Sequence, residues 1–466
     1  MKAINRRSIL KGSAAAVAGG LATSIAAPHA HAQYYGKSYI EETVAPENMN
    51  DVLRWTDTML LAVRDHGLTP PEASRVFGIG MMAGFVAMNG IGGRYSDSMN
   101  FGRGPENGDM LAAYHVATEI ALTASMQRSF RGFRNRMLNK IPNGEAKSLG
   151  MRWGQHVGQK IAARRARDGS ESTKAPFYRD VMQKRNHVLA WEPTLPVYES
   201  GIGPRIDPFI RPLLPSWGMV DPIGVKDIKK FRAERFPDPR SSLFWDDVKL
   251  IQELGGTKSD HRTADEEHIA FFWEDGPRGA TPGGHFIIIG AQLLQGRTDT
   301  YGMARAMALM GMASGDAGIS AWDSKYTFDI MRPETVIRRR AYTIPGYQKS
   351  GMKMDAGWSS LILTPPFPAY TSGHSTFGAA GARMIQHLMG TDRVKFRLKP
   401  VDLAWWPDQL IGTERHYTSV WETAVENGLS RIWGGVHWTF DHDQAMSAGG
   451  RIADEIFENH FLPVAS

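Results

Sequence analysis

Apolar residues recur at helical spacing almost wherever they cluster in this chain, and strand-like alternation is scarce, which confines the fold to packed helices. Val52, Leu53, Met59, Leu60 and Val63 predict a helix over 49–64. Thr69-Pro70-Pro71-Glu72 opens a second, Ala/Met/Gly-rich helix running towards Met88, because proline is tolerated in a first turn. A third is expected over 108–126, and a basic one over 152–167 whose charges read as a solvated face. From about 191 to 240, Pro193, Pro196, Pro204, Pro208, Pro212 and Pro215 oppose any sustained helix or sheet and predict a long irregular connection. Helical spacing returns over 246–254, 263–273, 284–295, 301–322, 372–389 and 427–457. The expectation is an all-α protein without internal repeats. Its 466 residues exceed one ordinary core, so a helical region with its Pro-rich connection (33–240) is followed by a second helical bundle (241–466).

The first 32 residues stand apart. Arg6-Arg7 precede an Ala/Gly-rich apolar run from Gly12 to Ala27, and Ala30-His31-Ala32 offers a small-residue cleavage site. That pattern is a secretory signal, and the paired arginines predict the twin-arginine type and a periplasmic or secreted product. Removing Lys2, Arg6, Arg7 and Lys11 with it lowers the formal charge from +6 to +2, so the pI near 9.3 is partly a property of the leader. A mature chain so near neutrality has no overall field for nucleic acid, and no later run of 18 uncharged apolar residues predicts a membrane span. The absence of cysteine excludes disulfides, thiolate catalysis and cysteine-ligated zinc.

Three short clusters carry chemistry. In the first, Lys325 and Arg332 lie seven residues apart, two helical turns, so both can project from one face before Pro333 stops the helix. A solvated helix end would look the same. In the second, prolines lead through Phe367-Pro368-Ala369-Tyr370 into Thr371-Ser372-Gly373-His374, where Thr371 or Ser372 caps a helix. Its N-terminus offers free N–H groups to an anion, Gly373 permits close approach, Ser372 adds a hydroxyl and His374 can serve as acid or base. In the third, Arg431 supplies a planar fork, and His437 and Asp441 are spaced four apart, the interval at which a helical carboxylate holds an imidazole tautomer. His442 and Asp443 raise a divalent-metal alternative but point elsewhere on such a helix. Two like charges about 4 Å apart cost on the order of 4 kcal/mol at an effective dielectric of 20. A fold gathering Lys325, Arg332 and Arg431 therefore needs an anion between them.

Taken together, K-x6-R-P, S-G-H and S-R-x5-H-x3-D resemble the signature shared by vanadium-dependent haloperoxidases and type 2 phosphatidic acid phosphatases. Thr371 stands where the phosphatase form usually has proline. On the haloperoxidase side, Trp322 matches an aromatic beside the halide pocket of fungal chloroperoxidases. Phe367 falls where those enzymes carry Phe and algal bromoperoxidases carry His, and Asp265 resembles the acid that pairs with the second arginine. Weaker similarity extends upstream through 68–73 and 112–115, but the resemblance is sharp only from about Asp265 onward. It implies a helical-bundle enzyme with vanadate as cofactor and hydrogen peroxide, halide and a small organic acceptor as partners. His437 would ligate vanadium with its tautomer fixed by Asp441. Lys325, Arg332, Ser372, Gly373 and Arg431 would neutralise the oxyanion, and His374 would take a proton from peroxide. Two alternatives fit the same residues: a phosphatase working through a phosphohistidine at His437, and a non-catalytic oxyanion-binding protein.

Overall fold

The computed structural model describes residues 38–172, 187–194, 211–276, 278–402 and 407–464. The leader and part of the Pro-rich stretch, including Pro196, Pro204 and Pro208, lie outside these. Among the described residues twelve helices reach eight residues or more. They are α1 (Asp51–His66), α2 (Pro70–Gly92), α3 (Met110–Met126), α4 (Arg131–Leu138), α5 (Glu145–Arg165), α6 (Ser242–Leu254), α7 (Ala264–Phe272), α8 (Thr281–Leu294), α9 (Thr300–Phe328), α10 (Gly373–Met389), α11 (Val420–Trp433) and α12 (Thr439–Asn459). The helical expectation holds, with a departure. Arg393–Leu398 (β1) and Arg415–Ser419 (β2) pair antiparallel, placing Phe396 opposite Tyr417. Val394, Phe396 and Leu398 alternate with Arg393, Lys395 and Arg397, a short period-two signal between helices.

Local chemistry explains the boundaries. Asn50 caps α1, accepting the Leu53 N–H, and Gly67 ends it in the left-handed region. At α2 the predicted proline start carries a capping box in which Thr69 and Glu72 satisfy each other's backbone. This helix is long and apolar enough to cross a membrane, yet most of it is buried within the protein. It packs along α9, and at the crossing a side chain on Gly78 would come within 2.9 Å of the Gly311 carbonyl. The two backbones can approach only because both positions are glycine. One apolar cluster runs from Tyr39 through α2 and α9 to Phe461. A second, with Phe244, Trp245, Met331, Tyr370 and Trp438, backs the polar centre of the molecule.

Residues 211–240 form the irregular connection the prolines predict, with short 3-10 turns at Trp217–Met219 and Ile228–Phe231. Much of their length is held by one stripe of α9. The fully buried Asp316 carboxylate accepts the N–H groups of Ile223 (2.6 Å), Gly224 (2.8 Å) and Val225 (2.8 Å). Seven residues on, Asp323 takes a forked bond from Arg232 at 2.6 and 2.7 Å, and Ser324 accepts from the Ala233 N–H. The opposite stripe of α9, through Trp322 and Lys325, is thereby left to face the polar centre.

Two details overturn the expected helix geometry. The helix predicted over 427–457 is broken at Gly434-Gly435: Gly435 has φ +76°, and a side chain there would lie 2.1 Å from the Gly255 carbonyl. His437 therefore precedes α12 instead of lying on it. Likewise α9 ends at Phe328 with Asp329 in the left-handed region, so Arg332 lies beyond the helix and Pro333 begins a short turn of Pro333–Thr335.

Loss of the Asp316 carboxylate would orphan three buried amides. Asp316→Ala should cost about 3–5 kcal/mol in denaturant unfolding, since bonds to a charged acceptor are the strong ones. Asp316→Asn, which keeps one acceptor oxygen, should lose less.

Candidate functional site

Arg332 is the hub. Its guanidinium is fully buried, with Nε donating to the Phe367 carbonyl (2.9 Å) and Nη1 to the Val436 carbonyl (2.7 Å) and to His437 Nε2 (3.0 Å). A guanidinium can only donate, so His437 Nε2 presents a lone pair. The ring proton must then sit on Nδ1, which donates to Asp441 Oδ2 at 2.7 Å. Asp441 also accepts the Trp438 N–H (3.2 Å), an arrangement available because it stands in the first turn of α12 while His437 lies just before it. The four-residue interval thus brings the pair together across a helix N-terminus, not along a helix. Burial and the neighbouring Arg332 and Lys325 hold the His437 imidazole well below the ordinary histidine range. Burial pushes the Asp441 carboxyl up, while Lys325 and Arg332 pull it down.

Lys325 approaches from α9. Its ammonium donates to the carbonyls of Pro368 (3.0 Å), Ala369 (3.0 Å) and Thr371 (2.5 Å), holding the extended segment that delivers Ser372. Burial, then Arg332 and Arg431, drive its pKa well down. Ser372 caps α10, accepting the Ser375 N–H, and the amide of Gly373 in the first helical position has no acceptor within its own helix. A Cβ added at Gly373 would meet only ordinary contacts, 3.6 Å from Trp322 and 3.9 Å from Phe377. The surrounding protein does not itself demand glycine there, so neighbouring side chains leave the space beside the amide open. His374 Nε2 bonds the Glu274 carbonyl at 3.1 Å; a carbonyl only accepts, so Nδ1 carries the free lone pair. Burial first, then Arg431, push its pKa well down, leaving it neutral. Arg431 reaches the carbonyls of Trp273 and Glu274 at 3.4 Å each, and burial lowers it to about 10.

The polar contacts of these three cations run to carbonyls and one imidazole, not to carboxylate oxygens. Arg332 Nη2 and Arg431 Nε are buried without a hydrogen-bond partner. Buried donors without partners are rare, and here they belong to converging cations, the donor set an oxyanion would satisfy. Among the described residues no cluster of His, Asp and Glu suits a divalent cation, so the alternative raised by His442 and Asp443 finds no support.

An aromatic wall stands beside two of these cations. Trp322 and Phe367 pack at 5.0 Å between ring centroids, and the Phe367 ring lies 5.0 Å from the Lys325 ammonium and 4.8 Å from the Arg332 guanidinium. Asp265 does not join the site. It is exposed on α7 and pairs with Arg415 at 2.9 Å, while the acids that bear on Arg431 are Glu274 and Asp275. The helix start around Thr263 carries Asp265 outward, and the strap after α7 brings the other two inward. Sequence reasoning considered His442 only as a metal ligand and set it aside, whereas its Nδ1 meets Ser375 Oγ at 3.0 Å beneath the N-terminus of α10. Its adjacency to the Ser-Gly-His motif depends wholly on how α12 crosses α10.

Residues 305–463 match the family described as VCPO second helical-bundle domain. The vanadium chloroperoxidase of Curvularia inaequalis is 34% identical over 170 residues, covering 30% of this chain and 28% of that protein. The match therefore spans little more than a quarter of that relative's length. Among solved structures, a bacterial vanadium-dependent iodoperoxidase superposes with a TM-score of 0.71 at 21% identity, covering 90% of this chain and 98% of its own. A bacterial vanadium-dependent chloroperoxidase in its holo form gives 0.60 at 17% identity, covering 91% and 97%. These likenesses extend the shared helical fold over nearly the whole chain.

Burial lowers the His442 imidazole to about 4. Below pH 6.5 the unfolded chain takes up a proton there that the folded chain refuses, so the stability contributed is full above 6.5 and drains away towards pH 4. Between pH 7 and pH 5 the loss should be about 2 kcal/mol. Unfolding curves of His442→Gln should show a slope flatter by that amount.

Proposed function

We propose that this chain, whose residues 305–463 carry the VCPO second helical-bundle domain, is a vanadium-dependent haloperoxidase that oxidises halide with hydrogen peroxide. The observation that carries the reading is the His437 tautomer. Arg332 and Asp441 together leave a neutral imidazole whose Nε2 lone pair, here accepting from Arg332 Nη1, is directed among three cations. A simple anion-binding protein needs donors only, whereas a lone pair at that point suits coordination. Vanadate bound there would supply Lewis-acid activation of peroxide towards a halide.

The chain's own residues do the rest. His437 would hold vanadium through Nε2, with the proton on Nδ1 kept in place by Asp441. Arg332 Nη2, Arg431 Nε, the Ser372 hydroxyl and the Gly373 amide are the donors for its oxygens. Lys325, held by three backbone carbonyls beside Arg332, would add positive charge to the site. His374, neutral and with Nδ1 free, takes the proton that hydrogen peroxide releases on binding. Trp322 and Phe367 exclude water from the side on which a halide would approach, which strengthens the field of Lys325 and Arg332. We further propose export by the twin-arginine route, on the strength of Arg6-Arg7 and the Ala30-His31-Ala32 site.

Purified protein should halogenate a dye in the presence of peroxide and bromide only after loading with orthovanadate. Phosphate-ester hydrolysis without peroxide-dependent halogenation would instead favour the phosphohistidine chemistry. His437→Ala should abolish activity and most vanadate retention, while Asp441→Asn, which mis-sets the tautomer, should reduce both by about 10–100-fold. Phe367→His brings a polar ring against two cations and should lower the ratio of chloride to bromide turnover at matched pH; an unchanged ratio in a folded variant would remove Phe367 from halide selection. Replacing both Arg6 and Arg7 by Lys should leave the precursor in the cytoplasm, as cell fractionation would show.

A further inference from the structure

A protein that releases a hypohalous acid is exposed to its own product, and thioethers are the readily oxidised sulfur groups in a chain without cysteine. This chain has 23 methionines. Among the described residues nearly all are buried or half-buried; only Met110 and Met219 are exposed, at 37% and 81%. The sulfur of Met110 is tucked against the end of α2, where a Cβ placed on Gly92 would lie 2.7 Å from it. Met219 is thus the described methionine most fully open to solvent.

Its position adds to its exposure. Met219 ends the 3-10 turn Trp217–Met219, and the Gly218 backbone lies directly on α9, where an added Cβ would stand 2.5 Å from Asp323 Cα. Asp323 is flanked by Trp322 and, two residues on, Lys325. The segment leading into the turn touches the same wall: the Leu213 carbonyl accepts Trp322 Nε1 (3.1 Å) and the Tyr326 hydroxyl (2.7 Å), and its N–H donates to Pro366 (3.0 Å). The open thioether therefore sits on the segment that borders the aromatic wall of the site.

We propose that, among the described methionines, Met219 is the thioether first oxidised by the hypohalous product, and that its sulfoxide leaves the enzyme folded and active. The source of the oxidant rests on the haloperoxidase reading; the site rests on geometry. In the step, the methionine sulfur forms a bond to oxygen as the oxygen–halogen bond breaks. The halogen leaves as halide with the electron pair, the hydroxyl proton passes to solvent, and sulfur is oxidised by two electrons to the sulfoxide. At Met219 the new polar oxygen points into water. At a core position such as Met307 or Met312 on α9 it would be buried without a partner.

The test compares two arms on the vanadate-loaded protein, each followed by peptide mass spectrometry. One supplies peroxide and bromide without an organic acceptor; the other supplies about one equivalent of reagent hypobromite without peroxide. Met219 sulfoxide should exceed that of any other described methionine by about fivefold or more in both arms, with little in peroxide alone. A different described methionine leading in either arm would overturn the assignment. A modified Met219 in the reagent arm with a blank enzymatic arm would support the site and count against the haloperoxidase reading. Activity and melting temperature should be unchanged once Met219 is oxidised. A loss that tracks Met219 sulfoxide and is absent from Met219→Leu would overturn the tolerance.

Discussion

Everything in this molecule accommodates one electrostatic liability: Lys325, Arg332 and Arg431 are buried together around a single point, beside a helix N-terminus that is itself positive. Repulsion of on the order of 4 kcal/mol per close pair would scatter such groups if their positions were soft. They are held by backbone carbonyls, three on Lys325, two on Arg332 and two on Arg431. Carbonyls fix a cation without cancelling its charge, which a carboxylate would do. Phe367 contributes in the same way, offering its ring face to Lys325 and Arg332. The cations stay in place and their attraction for an anion is kept.

That arrangement makes the site only as rigid as the backbone that supplies the carbonyls. Pro368, Ala369 and Thr371 belong to an extended, proline-held segment; Val436 follows the Gly434-Gly435 break; Trp273 and Glu274 lie on the strap after α7. None of these is regular secondary structure, so each is secured by its neighbours. The segment before Ser372 is pinned by Lys325 itself, and the break before His437 by the close contact of Gly435 with Gly255. The long connection is clamped to the far stripe of α9 through Asp316 and Asp323. A helix that carried only the site would be free to turn; clamped on its other side, α9 presents Trp322 and Lys325 in one orientation.

The same division is consistent with a fold shared at only 17–21% identity with a vanadium-dependent iodoperoxidase and chloroperoxidase. Helix packing requires apolar side chains of suitable volume, and many sequences provide them. Contact with an oxyanion requires particular donors at particular points, and few residues can substitute for a guanidinium fork or an imidazole lone pair.

The sequence by itself determined the helical class, the proline start of α2, the irregular connection and the three clusters, because each is written in local spacing, caps and breakers. It also put forward Lys325, Arg332, Ser372, Gly373, His374, Arg431, His437 and Asp441 as one oxyanion set, from the three clusters read together and their resemblance to the haloperoxidase and phosphatase signature. Only tertiary structure decided how they meet. Helical periodicity put Lys325 and Arg332 on one face, but α9 ends at Phe328 and the chain turns Arg332 back; it put His437 on a helix, but a glycine break places it ahead of Asp441. Asp265 fell outside, and Glu274, Asp275 and His442 came inside, because they are positioned by loops and helix crossings. Spacing along a chain fixes which side of its own helix a residue takes. Where a helix stops, and what another segment then brings against it, depends on contacts between residues far apart in sequence.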